Sequence, residues 1–207
     1  MKNSLLILFC FILGAGSLSA QTLELGVWSL PNSAFSYSGV NLLYRKPLLK
    51  ERTLRLGVFL EGNQLYREEW EVSADRTLLK RDSVAGYLVG FQFGLEKTHI
   101  SCDFLEFYTG LDAQLGAGRS VERQITFVND LLPINRSEKN ADGLQLGTNA
   151  VALMGVRISK NGKMGATFEP SVRIRGVYTS FGDSGERFDF NMEGIFLRLG
   201  AWFRLGT

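Results

Sequence analysis

The chain has 207 residues, a formal charge of +2 and 21% charged residues, with a mean hydropathy of +0.01. This balance gives no electrostatic ground for a nucleic-acid partner, and after the N-terminus no stretch approaches the ~18 uncharged apolar residues of a spanning helix. One histidine and two cysteines are too few for the usual N/S shell of a metal site, while 23 glycines against 4 prolines suit long strands with crowded faces.

Residues 1–20 read as a signal peptide: Lys2 is the positive n-region, residues 5–13 the apolar h-region, and Gly14 to Ala20 a small-residue cleavage region that makes Gln21 the mature start. Cys10 lies inside the h-region, so the mature chain keeps only Cys102 and cannot form an internal disulfide. The rest, 21–207, is expected to be one domain.

From there the pattern is a period of two, which places successive side chains on opposite faces of a β-strand. Eight strands are predicted, near 22–30, 38–46, 52–62, 83–96, 104–118, 144–159, 163–178 and from 191 to the C-terminus. In the first, Leu23, Leu25 and Val27 oppose Glu24, Gly26 and Trp28, and a turn at Pro31-Asn32-Ser33 follows. In the third, Leu54, Leu56, Val58 and Leu60 alternate with Arg55, Gly57, Phe59 and Glu61. In the fourth, Tyr87, Val89, Phe91, Phe93 and Leu95 alternate with Leu88, Gly90, Gln92, Gly94 and Glu96. The fifth sets Leu105, Phe107, Leu111 and Leu115 against Glu106, Tyr108, Asp112 and Gln114. Asn161-Gly162 closes a two-residue hairpin between strands six and seven. Pro170 has no N–H to give a ladder, so a local bulge is expected there. The last strand opposes Ile195, Leu197, Leu199, Ala201, Phe203 and Leu205 to Phe196, Arg198, Gly200, Trp202 and Arg204.

One face of every strand thus admits no charge except near the ends, at Lys46 and Glu193. The other collects Glu24, Arg45, Arg55, Glu61, Glu96, Glu106, Asp112, Arg157, Glu169, Arg173, Arg175, Arg198 and Arg204. Water does not enforce such a segregation. Lipid does, because a basic residue facing the bilayer midplane costs roughly 2–4 kcal/mol. The connections alternate as well. The short ones (47–51, 97–103, 161–162) share one end, taken as periplasmic, and the long ones (63–82, 119–143) share the other. The expected fold is all-β: a closed, eight-stranded, antiparallel, up-and-down transmembrane barrel.

Strand patterns such as Tyr108-Thr-Gly-Leu-Asp-Ala-Gln-Leu-Gly116 and Leu197-Arg-Leu-Gly-Ala-Trp-Phe-Arg-Leu205 resemble those of the small eight-stranded outer-membrane β-barrels, of the OmpA-barrel and OmpX-like type. The resemblance covers the mature chain. It implies a bacterial outer-membrane location and a terminal aromatic assembly signal, for which Phe203 is the nearest outward ring.

Eight strands enclose room only for side chains, so the interior ions are expected to pair with one another. No catalytic residue, cofactor or metal is expected. His99, beside Ser101 and Cys102, reads as a solvated turn residue at the periplasmic end. The outward rings of Tyr44, Tyr87, Tyr178 and Phe203 suit interfacial girdles. The partners are outer-membrane lipid and an extracellular protein or glycan met through 63–82 and 119–143, where Phe127-Val128 and 131–134 form an apolar patch; a monomer is expected. Two rival readings are a lipid-modifying enzyme or secretion accessory factor, and a soluble exported barrel carrying an apolar ligand.

Overall fold

A computed structural model describes residues 21–31, 35–49, 51–72, 77–129, 135–180 and 186–205. The signal peptide with Cys10, the turn residues 32–34, the patch at 131–134 and the extreme C-terminus lie outside the described residues, as does the middle of the loop predicted at 180–189.

The eight strands are β1 (Gln21–Pro31), β2 (Phe35–Leu49), β3 (Arg52–Val72), β4 (Thr77–Ser101), β5 (Leu105–Asn129), β6 (Asn135–Lys160), β7 (Met164–Ser180) and β8 (Glu186–Leu205). Each pairs antiparallel with its sequence neighbours, and β8 returns to β1 to close the barrel. Closure leaves no free edge where all eight strands pair, so backbone N–H and C=O groups there bond strand to strand outside the bulges and the gap at Met154 and Gly155.

The polarity is inverted with respect to a water-soluble barrel. Outward residues are bare: Leu25 is 58% exposed, Phe91 53%, Leu111 68% and Ile195 65%. Inward ions are enclosed, with Glu24, Arg55 and Glu61 at 0% and Arg45 and Glu96 at 1%. Glycines inside make room for large neighbours. Gly39 pairs in register with Trp28, and a Cβ there would collide with the indole. Gly155 pairs with Tyr108, and a Cβ there would strike the phenol. Asn161 (φ 59°) and Gly162 (φ 63°) form the predicted positive-φ hairpin.

Five expectations need correction. The long connections are mostly strand: β3 and β4 pair up to Val72↔Thr77, and β5 and β6 up to Val128↔Asn135. Only 73–76 and 130–134 remain between them. Polar residues do not break a strand whose ladder is already nucleated below. Next, Pro170 makes no bulge. The β6 ladder skips Met154 and Gly155 beside it, consistent with the missing N–H, but the register on either side is unchanged. The bulge sits in β8 at Gly194, where Val172↔Ile195 gives way to Arg173↔Glu193. The extra residue shifts the register by one and sets Glu193 opposite Arg173. His99 is likewise not in a link but is a bulged residue of β4, between Thr98↔Tyr108 and Ile100↔Phe107. Arg204 has inward parity but is exposed at the barrel mouth, where its backbone N–H donates to the Lys163 carbonyl (2.8 Å). Finally, Tyr44 faces outward yet is only 5% exposed, so its ring is covered by neighbours and is unlike the girdle candidates Tyr87 (48%) and Phe203 (49%).

Candidate functional site

The barrel interior is the most developed chemical environment in the described chain, and it falls into two ion clusters. The lower one fills the half nearer the short turns. Its hub is Glu169 on β7. Arg55 donates to both carboxylate oxygens (3.0 and 3.1 Å), Tyr108 Oη donates at 2.8 Å, and Arg198 and Arg45 approach at 3.4 and 3.6 Å. A two-pronged guanidinium–carboxylate contact is among the stronger charge-assisted pairs. Arg55 also meets Asp112 (3.1 Å) and Glu96 (3.4 Å). Glu96 meets Arg157 (2.8 Å) and Arg45 (3.2 Å). Arg45 and Arg198 both pair with Glu24, and Arg157 pairs with Glu106 near the mouth.

The hub lies where the β6–β7 ladder opens. Tyr108 crosses Gly155 at that gap and extends its hydroxyl to Glu169. The same ring carries the Arg157 guanidinium 4.8 Å from its centroid, a cation–π contact that desolvation strengthens.

A belt of amides spans the lumen above this cluster. Arg198 Nε donates to Asn41 Oδ1 (3.1 Å), Asn41 Nδ2 to Gln92 Oε1 (3.1 Å), and Gln92 Nε2 to Asp112 Oδ2 (2.6 Å). Asn149 Nδ2 donates to Gln114 Oε1 (2.9 Å). Next to the belt, Trp28 and Phe196 meet edge to face (centroids 5.6 Å apart). Arg173 lies over both rings, 4.8 and 4.1 Å from their centroids. Arg173 and Arg175 pair with Glu61 to form the upper cluster.

Such a lumen is a plug. The cavity lined by Trp28, Asn41, Gln92, Asp112, Arg173 and Arg198 has a volume of about 30 Å³, which is water-sized. Fully buried ions need full partnership, since an uncompensated buried charge costs several kcal/mol, and here each inward ion named above has at least one partner of opposite sign. An apolar-ligand carrier would need an apolar cavity. This interior is ionic instead.

Sequence parity placed twelve of the thirteen inward ions correctly and misplaced Arg204. It did not foresee Glu169 as the hub, nor the Tyr108 contact, because partners around a barrel depend on strand stagger, which parity does not encode. Residues 98–109 could have signalled the His99 bulge only through their register. His99 is exposed, with Nε2 2.8 Å from Thr109 Oγ1 and its ring 5.9 Å from that of Phe107. Cys102 is exposed in the β4–β5 turn, where Cys102 N–H donates to the Leu105 carbonyl (2.8 Å). Among the described residues no group of three or more His, Cys, Asp or Glu side chains could hold a metal ion.

No family model matches the sequence, and no curated protein matches it. Solved structures do. The attachment invasion locus protein Ail of Yersinia pestis matches at 14% identity over 89% of this chain and 98% of that one, with a TM-score of 0.28. A major outer membrane protein of Thermus thermophilus matches at 11% identity over 90% and 100%, with a TM-score of 0.40. The N-terminal β-barrel domain of Pseudomonas aeruginosa OprF matches at 10% identity over 88% and 97%, with a TM-score of 0.25. At these scores the assignment stands on the chain's own registers and on where its side chains point. By those, the chain is a closed, eight-stranded antiparallel β-barrel with an apolar outer wall and an interior filled by paired ions.

Proposed function

We propose that this protein is exported with residues 1–20 as its leader, inserts as a monomer in the bacterial outer membrane, and works as a non-catalytic docking scaffold. Its working surface is the sheet that stands above the barrel. The observation that carries this reading is the uneven rim. Pairing of β2 with β3 ends at Phe35↔Leu65, and pairing of β6 with β7 ends at Leu144↔Ser180. Strands β3 to β6 continue to one another well past those rows. They form a four-stranded sheet, open at 66–72 on β3 and at 135–143 on β6 among the described residues.

An open edge is a row of backbone donors and acceptors, the template for adding a partner's strand. A plugged lumen adds nothing to transport, and loops held on paired strands keep a fixed geometry above the bilayer. The partner this favours is an extended segment of an extracellular protein; a surface glycan is the second choice. The test replaces 67–82 with an Asn-Gly turn, and in a second variant 123–140, each cut keeping the ladder register below it. Cells carrying the wild-type protein should bind extracellular-matrix proteins, and both trimmed variants should lose that binding while remaining folded in the membrane. Undiminished binding by both trimmed forms would overturn the reading. So would release of the wild-type protein with the soluble periplasmic fraction.

A further inference from the structure

The outer wall is not uniformly smooth. A groove of about 780 Å³ runs up the lipid-facing side between β4, β5 and β6. Its flanks are Phe93 and Leu111, and its floor is Ala113 and Ala152, four positions that follow one another through the registers Phe93↔Ala113 and Leu111↔Ala152. Small residues facing lipid between large ones leave a slot rather than a bulge. At its lower end stand Arg52 and Lys97, paired across β3 and β4 and both exposed. The carboxylate nearest to Lys97 is Glu51, at 3.9 Å with both side chains more than half exposed, a contact worth little in water.

Two further observations say what fills the slot. The rim around the short turns is basic: Lys46, Arg52, Lys97, Lys160, Lys163 and Arg204 stand against Glu51, Asp103 and Glu106 among the described exposed or half-exposed residues there, and Glu106 is taken up by Arg157. The length also fits. From Lys97, in register with Thr109, to Ala113 the groove rises four residues, about 13 Å at strand spacing. At the ~40° tilt of a membrane-barrel strand this is ~10 Å of depth, about two thirds of one leaflet of a hydrocarbon core about 30 Å thick.

Building on the outer-membrane reading above, we propose that this groove holds one acyl chain of an anionic glycerophospholipid from the periplasmic leaflet, with its phosphate between Arg52 and Lys97. Native mass spectrometry of the detergent-solubilised full chain, offered equal phosphatidylglycerol and phosphatidylethanolamine, tests it. The wild type should retain a single phosphatidylglycerol in preference to phosphatidylethanolamine. Arg52→Ala with Lys97→Ala should weaken that retention by about thirtyfold, since each base near a phosphate contributes on the order of 1 kcal/mol. Ala152→Phe should abolish retention of either lipid by filling the slot, and Lys160→Ala with Lys163→Ala should leave it unchanged. Equal retention of both lipids by the wild type overturns the proposal. So does wild-type behaviour of the Arg52/Lys97 variant, or displacement of the phospholipid by lipid A at equal concentration. These failures are separable from failure of the membrane reading. A chain that stays folded and monodisperse after detergent removal refutes that reading, whereas a detergent-dependent barrel without lipid preference refutes only the groove.

Discussion

Strands β3 to β6 pass through two environments, and the difference between their lower and upper halves shows what each solvent demands. Below the Leu144↔Ser180 row the sheet is closed by β7, β8, β1 and β2. There β5 alternates strictly, Leu111 and Leu115 out, Asp112 and Gln114 in. From that row upward the same strand reads Arg119-Ser-Val-Glu-Arg-Gln, with Arg119 and Arg123 on the parity that carries no charge lower down. Hydrocarbon forbids charge on one face and open edges anywhere; water forbids neither. The lower half is therefore specified by exclusion, and its sequence is legible. The upper half is specified by pairing alone.

The largest break in this contrast comes from the plug. Arg55 is fully buried and touches Glu96, Asp112 and Glu169. Arg55→Met removes the cation and leaves three carboxylates crowded in a medium that cannot solvate them. The expected loss is about 3–5 kcal/mol of unfolding free energy. Urea titration of the vesicle-reconstituted protein, read by the heat-dependent shift in gel mobility, would show it. A midpoint equal to wild type would mean that the lumen is wetter than its geometry indicates.

The wall itself is tested by a matched pair. Phe91 lies at mid-barrel and is 53% exposed; Val121, at 45%, has the same outward parity but lies above the Leu144↔Ser180 row. Phe91→Arg should cost roughly 2–4 kcal/mol if the residue faces hydrocarbon. Val121→Arg should stay within about 0.5 kcal/mol, as surface substitutions do in water. Equal effects at the two sites would place them in one solvent and remove the boundary between the halves.

A smaller effect follows at the gap between β6 and β7. Gly155→Ala puts a methyl where the Tyr108 phenol lies. The ring must tilt, lengthening its 2.8 Å bond to Glu169 and lifting the face that Arg157 covers. Overpacking of this kind costs about 1–3 kcal/mol. The variant with Tyr108→Phe as well should be less destabilised than the sum of the two single changes, because they share one contact.

How far the sequence speaks depends on which of these forces is local. Alternation is local: Glu24 between Leu23 and Leu25 already says which way it points, and the eight-strand count and the Asn161-Gly162 hairpin followed from such patterns. Stagger is not local. Glu169 meets Arg55 across 114 positions of sequence, and nothing in either neighbourhood names the other. Bulges are intermediate. Gly194 shifts β8 by one residue and carries Glu193 onto the row of Arg173, a slip that uninterrupted parity reads wrongly. Pro170 was an obvious place for an irregularity, yet one side of the barrel tolerates the lost donor simply by omitting two rungs.

The gentlest probe alters no packing at all and asks which half faces outward. Cys102 is exposed in the turn between β4 and β5, at the short-turn end, and Arg123 is exposed on the upper part of β5. The two lie on opposite sides of the apolar band, so a thiol reagent too large to cross the outer membrane must distinguish them. On intact cells of the Arg123→Cys variant, a polyethylene-glycol maleimide should add one label, and to wild-type cells none. After permeabilisation the wild type should gain one label at Cys102 and the variant two. Since both sites are solvated, stability should be unaffected, and any pattern seen reports topology alone. Labelling of Cys102 on intact wild-type cells would invert the barrel. It would put the basic rim outside and the open sheet edges in the periplasm, where a docking role toward extracellular partners has no surface to use.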